Sequence, residues 1–327
     1  MRTEARFPSV AAEAGHYESF YMKAADPAGG RAVWIRHTVH KRPGAEPTCA
    51  VWMTYFDVAG AAPRAAKQQF GAAELSIPAG AYVSVAGSEI GPGRVRGTVE
   101  AAGTDAVWDL TFADRHDALR HLPAEWMYRA ALPRTKLLSP HPGAIFDGTL
   151  EIGSERIEIA GWPGMVGHNW GAEHAERWIW IHAADPDGGY LDIAAGRVRL
   201  GPATTPWIAN GRLALDGAEH RLGGIGRSLR GSIDAGSTGC RLSLGGDGVS
   251  VTGSVSAPPE RFVAWVYSDP AGGSHHALNC SVADLDVRIE RDGGASPRNL
   301  RVERGAVYEY GSRETDHGVP VQPFADG

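Results

Sequence analysis

The chain has 327 residues, with 32 Lys and Arg against 38 Asp and Glu, giving a formal charge of −6. There is no basic excess to neutralise phosphates, which argues against a nucleic-acid binder, and 43% hydrophobic with 21% charged residues argues against wholesale disorder. No run reaches the roughly eighteen apolar residues of a spanning helix, and MRTEARFPSV lacks the apolar core of a signal peptide, so a cytoplasmic protein without stable membrane insertion is expected.

Glycine and proline, 43 and 21 residues, favour many short strands and tight turns over long helices. The length admits one large or two medium domains. Cys49, Cys240 and Cys280 are odd in number, far apart and form no CxxC pair, so buried free thiols are expected rather than disulfides or a thiolate zinc site.

From the N-terminus, the first predicted element is a hairpin. YESFYM and RAVWIRHTV flank the turn Ala24-Ala25-Asp26-Pro27-Ala28-Gly29-Gly30. Asp starts the turn, Pro fixes φ and Gly supplies positive φ. Tyr17, Phe20, Trp34, Trp52 and Tyr55 read as core or barrel lining. Strands are predicted over Cys49–Phe56, Ala81–Gly87, Arg94–Ala101 and Ala106–Phe112, where apolar and polar residues tend to alternate. Ala113–Leu122 is the best helical candidate, though it lacks a clear apolar stripe. Strands resume at Ile145–Ile152 and Arg156–Gly161. The turn then recurs as Ala183-Ala184-Asp185-Pro186-Asp187-Gly188-Gly189, 159 residues on. After strands at Arg212–Leu215, Arg241–Leu244 and Val249–Ser256 it appears a third time, as Asp269-Pro270-Ala271-Gly272-Gly273. A repeat near half the chain length predicts two related all-β domains, residues 1–165 and 166–327, with a loose final dozen residues.

Unusual residues concentrate between Gly161 and Asp192, which hold four of the ten tryptophans and three histidines. Period-two geometry places Trp178, Trp180 and His182 on one face of a strand. With a five-residue loop, Ala184 pairs with Tyr190, His182 with Asp192 and Trp180 with Ala194, so Trp178, Trp180, His182, Tyr190 and Asp192 share one face. An Asp among aromatic rings and a His makes a candidate acid–base centre: apolar surroundings raise a carboxyl pKa and a histidinium lowers it. A buried structural Asp is the plainer alternative. His168, Glu173, His174 and Glu176 match no strong ligand spacing, so no metal is expected. His275 and His276 point oppositely on a strand, so at most one faces a pocket, and flanking a turn both would ordinarily lie at the surface. No GxSxG elbow occurs.

The run Gly167-His168-Asn169-Trp170-Gly171, followed by His174 and an aromatic strand, resembles the tandem lipocalin-like group of carotenoid 1,2-hydratase, tocopherol cyclase, AttH-like proteins and some Diels–Alderases. Lys136–Gly148, Tyr190-Leu191-Asp192 and Asn279–Asp284 are further points of similarity. The resemblance implies two consecutive antiparallel β-barrels of calycin type with an apolar pocket. It matches His168 with Trp170 and Tyr190 with Asp192, and implies that Asp192 donates a proton which the His or Tyr tunes or relays. Combined with the shared strand face, the expected site has Asp192, His168, Tyr190 and His182 as catalytic residues and Trp170, Trp178, Trp180, Asn169 and His174 at the substrate. The expected function is cofactor-independent hydration, dehydration or cyclisation of a hydrophobic isoprenoid- or polyketide-like molecule. A non-catalytic lipid or pigment carrier and a pericyclase are the alternatives.

Overall fold

A computed structural model describes residues 3–101, 103–184, 187–293 and 296–324. The first sheet is built from β1 (His16–Ala25), β2 (Arg31–Lys41), β3 (Thr48–Asp57), β4 (Arg64–Gly71), the short β5 (Leu75–Ser76), β6 (Val83–Val85) and β7 (Ser88–Gly91), then β8 (Arg94–Ala101), β9 (Thr104–Ala113), β10 (Leu119–Arg120), β11 (Thr135–Ile152) and β12 (Glu155–Gly171). The second holds β13 (Arg177–Ala184) and β14 (Tyr190–Arg197). After a small separate hairpin, β15 (Arg199–Leu200) with β16 (Ala203–Thr204), it continues with β17 (Ile208–Leu215), β18 (Ala218–Gly223), β19 (Ser232–Gly236), β20 (Gly239–Gly245), β21 (Val249–Ser256), β22 (Val263–Ser268), β23 (Ser274–Arg291) and β24 (Arg298–Ser312).

Both sheets are antiparallel and barrel-like, as the sequence predicts, and each places its first strand beside its last: β1 pairs with β12, and β13 with β24. The first curls round until Gln68 of β4 accepts the Glu100 amide of β8 at 3.4 Å. The second curls until Leu222 of β18 bridges Gly246, just past β20. The expected division at 165/166 falls inside β12, which carries the first sheet on to Gly171. Val249–Ser256 and Arg94–Ala101 are strands with the predicted ends. Ala113–Leu122 is not a helix: β9 ends at Ala113 and β10 occupies Leu119–Arg120, in keeping with its missing apolar stripe. The only α-helix among the described residues is one turn, α1 (Ile225–Ser228), and no helix there is long and apolar enough to cross a membrane.

The first turn copy behaves as its residues dictate. Asp26 accepts from the Ala28 amide at 2.9 Å and pairs with Arg31, while Gly29 and Gly30 take φ of 79° and 91°. In the second copy, 185 and 186 lie outside the described residues. The final residues are not loose as far as they are described. Val319 is buried, Val321 bridges Ala264, and Phe324 stacks on Trp265 with centroids 5.9 Å apart. These apolar side chains find an aromatic cluster that a periodicity argument cannot foresee. The three cysteines are free and buried.

Period two decides which residues meet. On β2, Val33, Ile35 and Val39 fill the interior of the first barrel. Ala32 and Trp34 turn outward, and Trp34 packs on Trp265 of the second with ring centroids 6.2 Å apart. The barrels thus touch through outer faces that are themselves apolar, and all ten residues of β1 are buried. One of them, Lys23, reaches across this contact and donates to the Gly305 carbonyl at 2.6 Å. Burial lowers its pKa to about 7, opposed weakly by Cys280. The unfolded chain binds this proton up to about 10.5 and the folded chain gives it up near 7. The contribution of Lys23 to stability should therefore rise with pH across that window, against the buried thiols, whose raised pKa acts in the opposite sense. In urea unfolding the stability of the wild type relative to Lys23→Met should increase with pH; a constant difference would mean that Lys23 is not held neutral.

Candidate functional site

The hairpin that carries most of the expected site has the predicted register: His182 lies opposite Asp192, Trp180 opposite Ala194 and Ala184 opposite Tyr190. Ile179, Ile181, Leu191 and Ile193 take the alternate positions and fill the second barrel. The face bearing Trp178, Trp180, His182, Tyr190 and Asp192 therefore turns outward, toward the first barrel. Its partners confirm the direction. Trp180 meets Tyr21 of β1 edge-on at 5.3 Å. His182 contacts the Pro142 carbonyl at 2.8 Å, Asp192 accepts from Ser139 at 2.7 Å, and the Tyr190 ring lies edge-on to His116.

Ser139 and Pro142 reach this face because β11 is irregular there. Ser139-Pro140-His141-Pro142 cannot supply a full ladder of amide donors, and the pairing with β12 shifts register between Leu138 and His141 and again before Ala144. The bulge points Ser139 and the Pro142 carbonyl at the second barrel.

Between the barrels lies a cavity of about 250 Å³. It is not enclosed by one barrel, as had been expected of the pocket; both sheets line it. Tyr21, Arg36, Thr135 and Asn169 face it from the first, and Trp178, Trp180, Asn210 and Glu309 from the second, with His121 and His174 from connecting segments. Ligand pockets run roughly 300–1,000 Å³, so this space suits a compact molecule or one end of a longer one.

Asp192 stands directly behind the wall and is fully buried. Its Oδ1 accepts the Trp180 indole N–H at 3.1 Å and its Oδ2 the Ser139 hydroxyl. His121 Nε2 lies 3.6 Å from the same Oδ2 and 3.1 Å from Ser139 Oγ, while Nδ1 faces the Asn210 carbonyl at 3.4 Å. If Ser139 donates to Asp192, both His121 nitrogens face acceptors. Burial works to raise the Asp192 carboxyl, but His121, His182 and Ser139 outweigh it and hold it below the usual carboxylate range. His182, opposite Asp192, is pushed down to about 4 by burial and its Nδ1 has no partner. Tyr190 is raised by burial and takes a long 3.4 Å contact from Arg212.

The GHNWG run divides by the same alternation. Asn169 faces the cavity and accepts from the Ser19 hydroxyl. His168 and Trp170 turn away from it. His168 is wholly buried, bonded through Nε2 to Glu18 at 2.7 Å and stacked on Phe20 and Trp170 at 3.9 and 4.5 Å. Trp170 packs on Tyr128. Glu18 also binds His16 and the Arg6 and Phe7 amides; burial raises its pKa, but the two histidines prevail and bring it to about 2. Of the nine residues expected at the site, then, Asn169, His174, Trp178 and Trp180 line the cavity. Asp192 backs it, with His182 beside Asp192, whereas Tyr190, His168 and Trp170 lie elsewhere.

A second polar cluster adjoins His174. Its amide and Nδ1 both reach Asp269 Oδ1 at 2.8 Å, and His275 approaches Oδ2 at 3.5 Å. His275 is fully buried, contrary to the surface position expected of it, while its neighbour His276 points away to His317. Among the described residues, His174, Asp269 and His275 are the set with donor atoms close enough for a metal ion. Arg313, however, sits 3.2 Å from Asp269 and also reaches Glu173 and Glu176. A fixed cation and the two His174 N–H groups around the one carboxylate describe a buried ion-pair cluster better than a metal cradle.

Sequence reasoning missed His121, Ser139, Arg36 and Glu309. Each is an isolated polar residue far along the chain from the Trp-rich stretch, and no local signal marks it. Ser139 alone lay in a segment singled out by similarity.

Two tandem antiparallel barrel-like sheets sharing a cavity define a lipocalin-like double barrel. No protein-family model matches the chain. It is 28% identical over 295 residues to an uncharacterized protein of Mycobacterium tuberculosis, covering 87% of this chain and 84% of that one. Among solved structures it is similar to an AttH-like protein of Nitrosomonas europaea (TM-score 0.55, 14% identity, 95% of this chain and 97% of the other). It is also similar to kievitone hydratase of Nectria haematococca (TM-score 0.53, 11% identity, 91% and 89%).

Gly167 of the GHNWG run is required sterically. A Cβ there would lie 2.2 Å from the Tyr21 ring, which crosses the strand toward the cavity. Gly167→Ala should therefore cost about 1–3 kcal/mol in urea unfolding. An unaltered midpoint would mean that Tyr21 has room to move.

Proposed function

We propose that the protein is an enzyme that adds water to, or removes it from, a carbon–carbon double bond of a hydrophobic small molecule held between the two barrels, with ring closure as the variant outcome. The observation that carries this reading is the buried Asp192–Ser139–His121 network opening onto an apolar cavity. Protonating an alkene takes an acid, exclusion of bulk water and a nucleophile to trap the cation. In this reading the proton rests on His121 and passes to one alkene carbon. Water adds to the other carbon, and its proton returns to the ring. An internal nucleophile in place of water gives a cyclic product. The steps require no cofactor.

The sequence put the acid on Asp192. A carboxyl surrounded by donors and held ionised is better suited to orient and balance His121 than to donate itself, so Asp192 becomes a positioning residue. Trp178, Trp180, Asn169 and His174 hold the substrate, and the rings of Trp178 and Trp180 present π faces to a developing cation. Tyr190, packed against His116, and His168 and Trp170, which turn away, take no step; His182, bonded to the Pro142 carbonyl, lies beside Asp192 without a part in the chemistry. The hydratase among the solved structures of similar fold accords with this choice, although fold likeness alone would serve a carrier equally.

Small molecules extracted from purified wild-type and Asp192→Asn protein, compared by mass spectrometry, test the reading. The variant should fold, retain a molecule related to the wild-type product by one water or by one ring, and turn it over at least about 100-fold more slowly. The same unaltered molecule from both proteins would make the chain a carrier.

A further inference from the structure

Among the described residues Arg36 has no counter-ion. It sits on β2 among the outward-facing residues of the first barrel, is 5% exposed and lines the cavity. Its guanidinium carbon lies 4.0 Å from the centroid of the Tyr267 ring and 5.2 Å from that of Trp52. Those π faces attract a cation but accept none of its five N–H donors in the plane of the fork. Nη1 is buried with no hydrogen-bond partner, and no carboxylate among the described residues lies within ion-pair reach. The acids nearby are already engaged. Glu309, which also lines the cavity, accepts from Trp178 Nε1 at 2.8 Å and Asn279 Nδ2 at 3.1 Å. Asp269 is held by His174 and Arg313.

A buried charge without a partner is costly, and a protein retains one where a partner arrives from outside. We propose that Arg36 binds the carboxylate of the ligand, so that the natural substrate is a hydrophobic carboxylic acid. Its acid group meets the guanidinium as a two-pronged pair, and its apolar body lies against Trp178 and Trp180. This rests on the reading of the cavity as a small-molecule site and deepens it by naming the substrate class. The planar fork matters, because lysine presents a point charge without paired donors.

Decanoate and decan-1-ol are chains of equal length that differ in the charged head. Their binding to the full-length protein can be followed by quenching of the cavity tryptophans. The wild type should bind decanoate at least about tenfold more tightly than decanol. Arg36→Met should abolish that preference through loss of decanoate affinity, and Arg36→Lys should keep part of it. Equal affinity of the wild type for the two probes overturns the role of Arg36 but leaves the cavity as an apolar binding site, and it does so even if Arg36→Met fails to fold. Binding of neither probe overturns the cavity reading and, with it, this assignment. A preference for decanoate that survives in a folded Arg36→Met protein places the carboxylate elsewhere and also overturns the proposal.

Discussion

A strand that separates two cores can leave neither face to water. β1 is in this position: one face closes the interior of the first barrel and the other meets the second barrel, and every one of its ten residues is buried. Four of them, His16, Glu18, Ser19 and Lys23, are polar, and each must find an internal partner. Glu18 takes histidines and two backbone amides, Ser19 takes Asn169, and Lys23 takes a carbonyl of the opposite barrel. The polar networks described above follow from this constraint. Those of Ser19 and Lys23 arise where outer faces that would ordinarily be hydrated are pressed together, whereas Glu18 and His168 share the inner face with Phe20.

The same constraint explains where the site sits. In a single closed barrel the interior is the natural place for a ligand. Here the interiors are filled by Val33, Ile35, Leu110 and Phe146 in one half and by Leu191, Ile193, Leu285 and Val287 in the other. The open space is left at the seam, where two convex surfaces meet imperfectly. Convex sheets bring indoles, a guanidinium and imidazoles into one volume because each barrel contributes the side chains it would otherwise have shown to solvent.

Much of this was legible from residues near one another in sequence. The repeated Asp-Pro turn gave the hairpins, and period two with a loop of stated length gave the pairing of His182 with Asp192 and the face they share with Trp180. Alternation also says that Asn169 must point away from His168 and Trp170, although a motif read as a unit hides this. What alternation cannot give is the partner of a face. Ser139 is 53 residues from Asp192, and their meeting depends on a bulge in β11 and on how two barrels dock. Local pattern carries no trace of either. His121 and Arg36 were invisible for the same reason: a lone polar residue on a strand or loop looks solvated until something covers it. The loose tail was a misreading of the same kind, since Phe324 has nothing to bind until Trp265 is in place.

Each sheet ends beside the strand with which it begins, and a short link, residues 172–176, joins one to the next. A unit built this way returns the chain to the strand from which it set out, so a second unit can follow without rethreading the first or lengthening the connector. The outer surfaces, which meet only at the seam, can then vary to fit one another, while the interior residues, which set each barrel's shape, need not change at all.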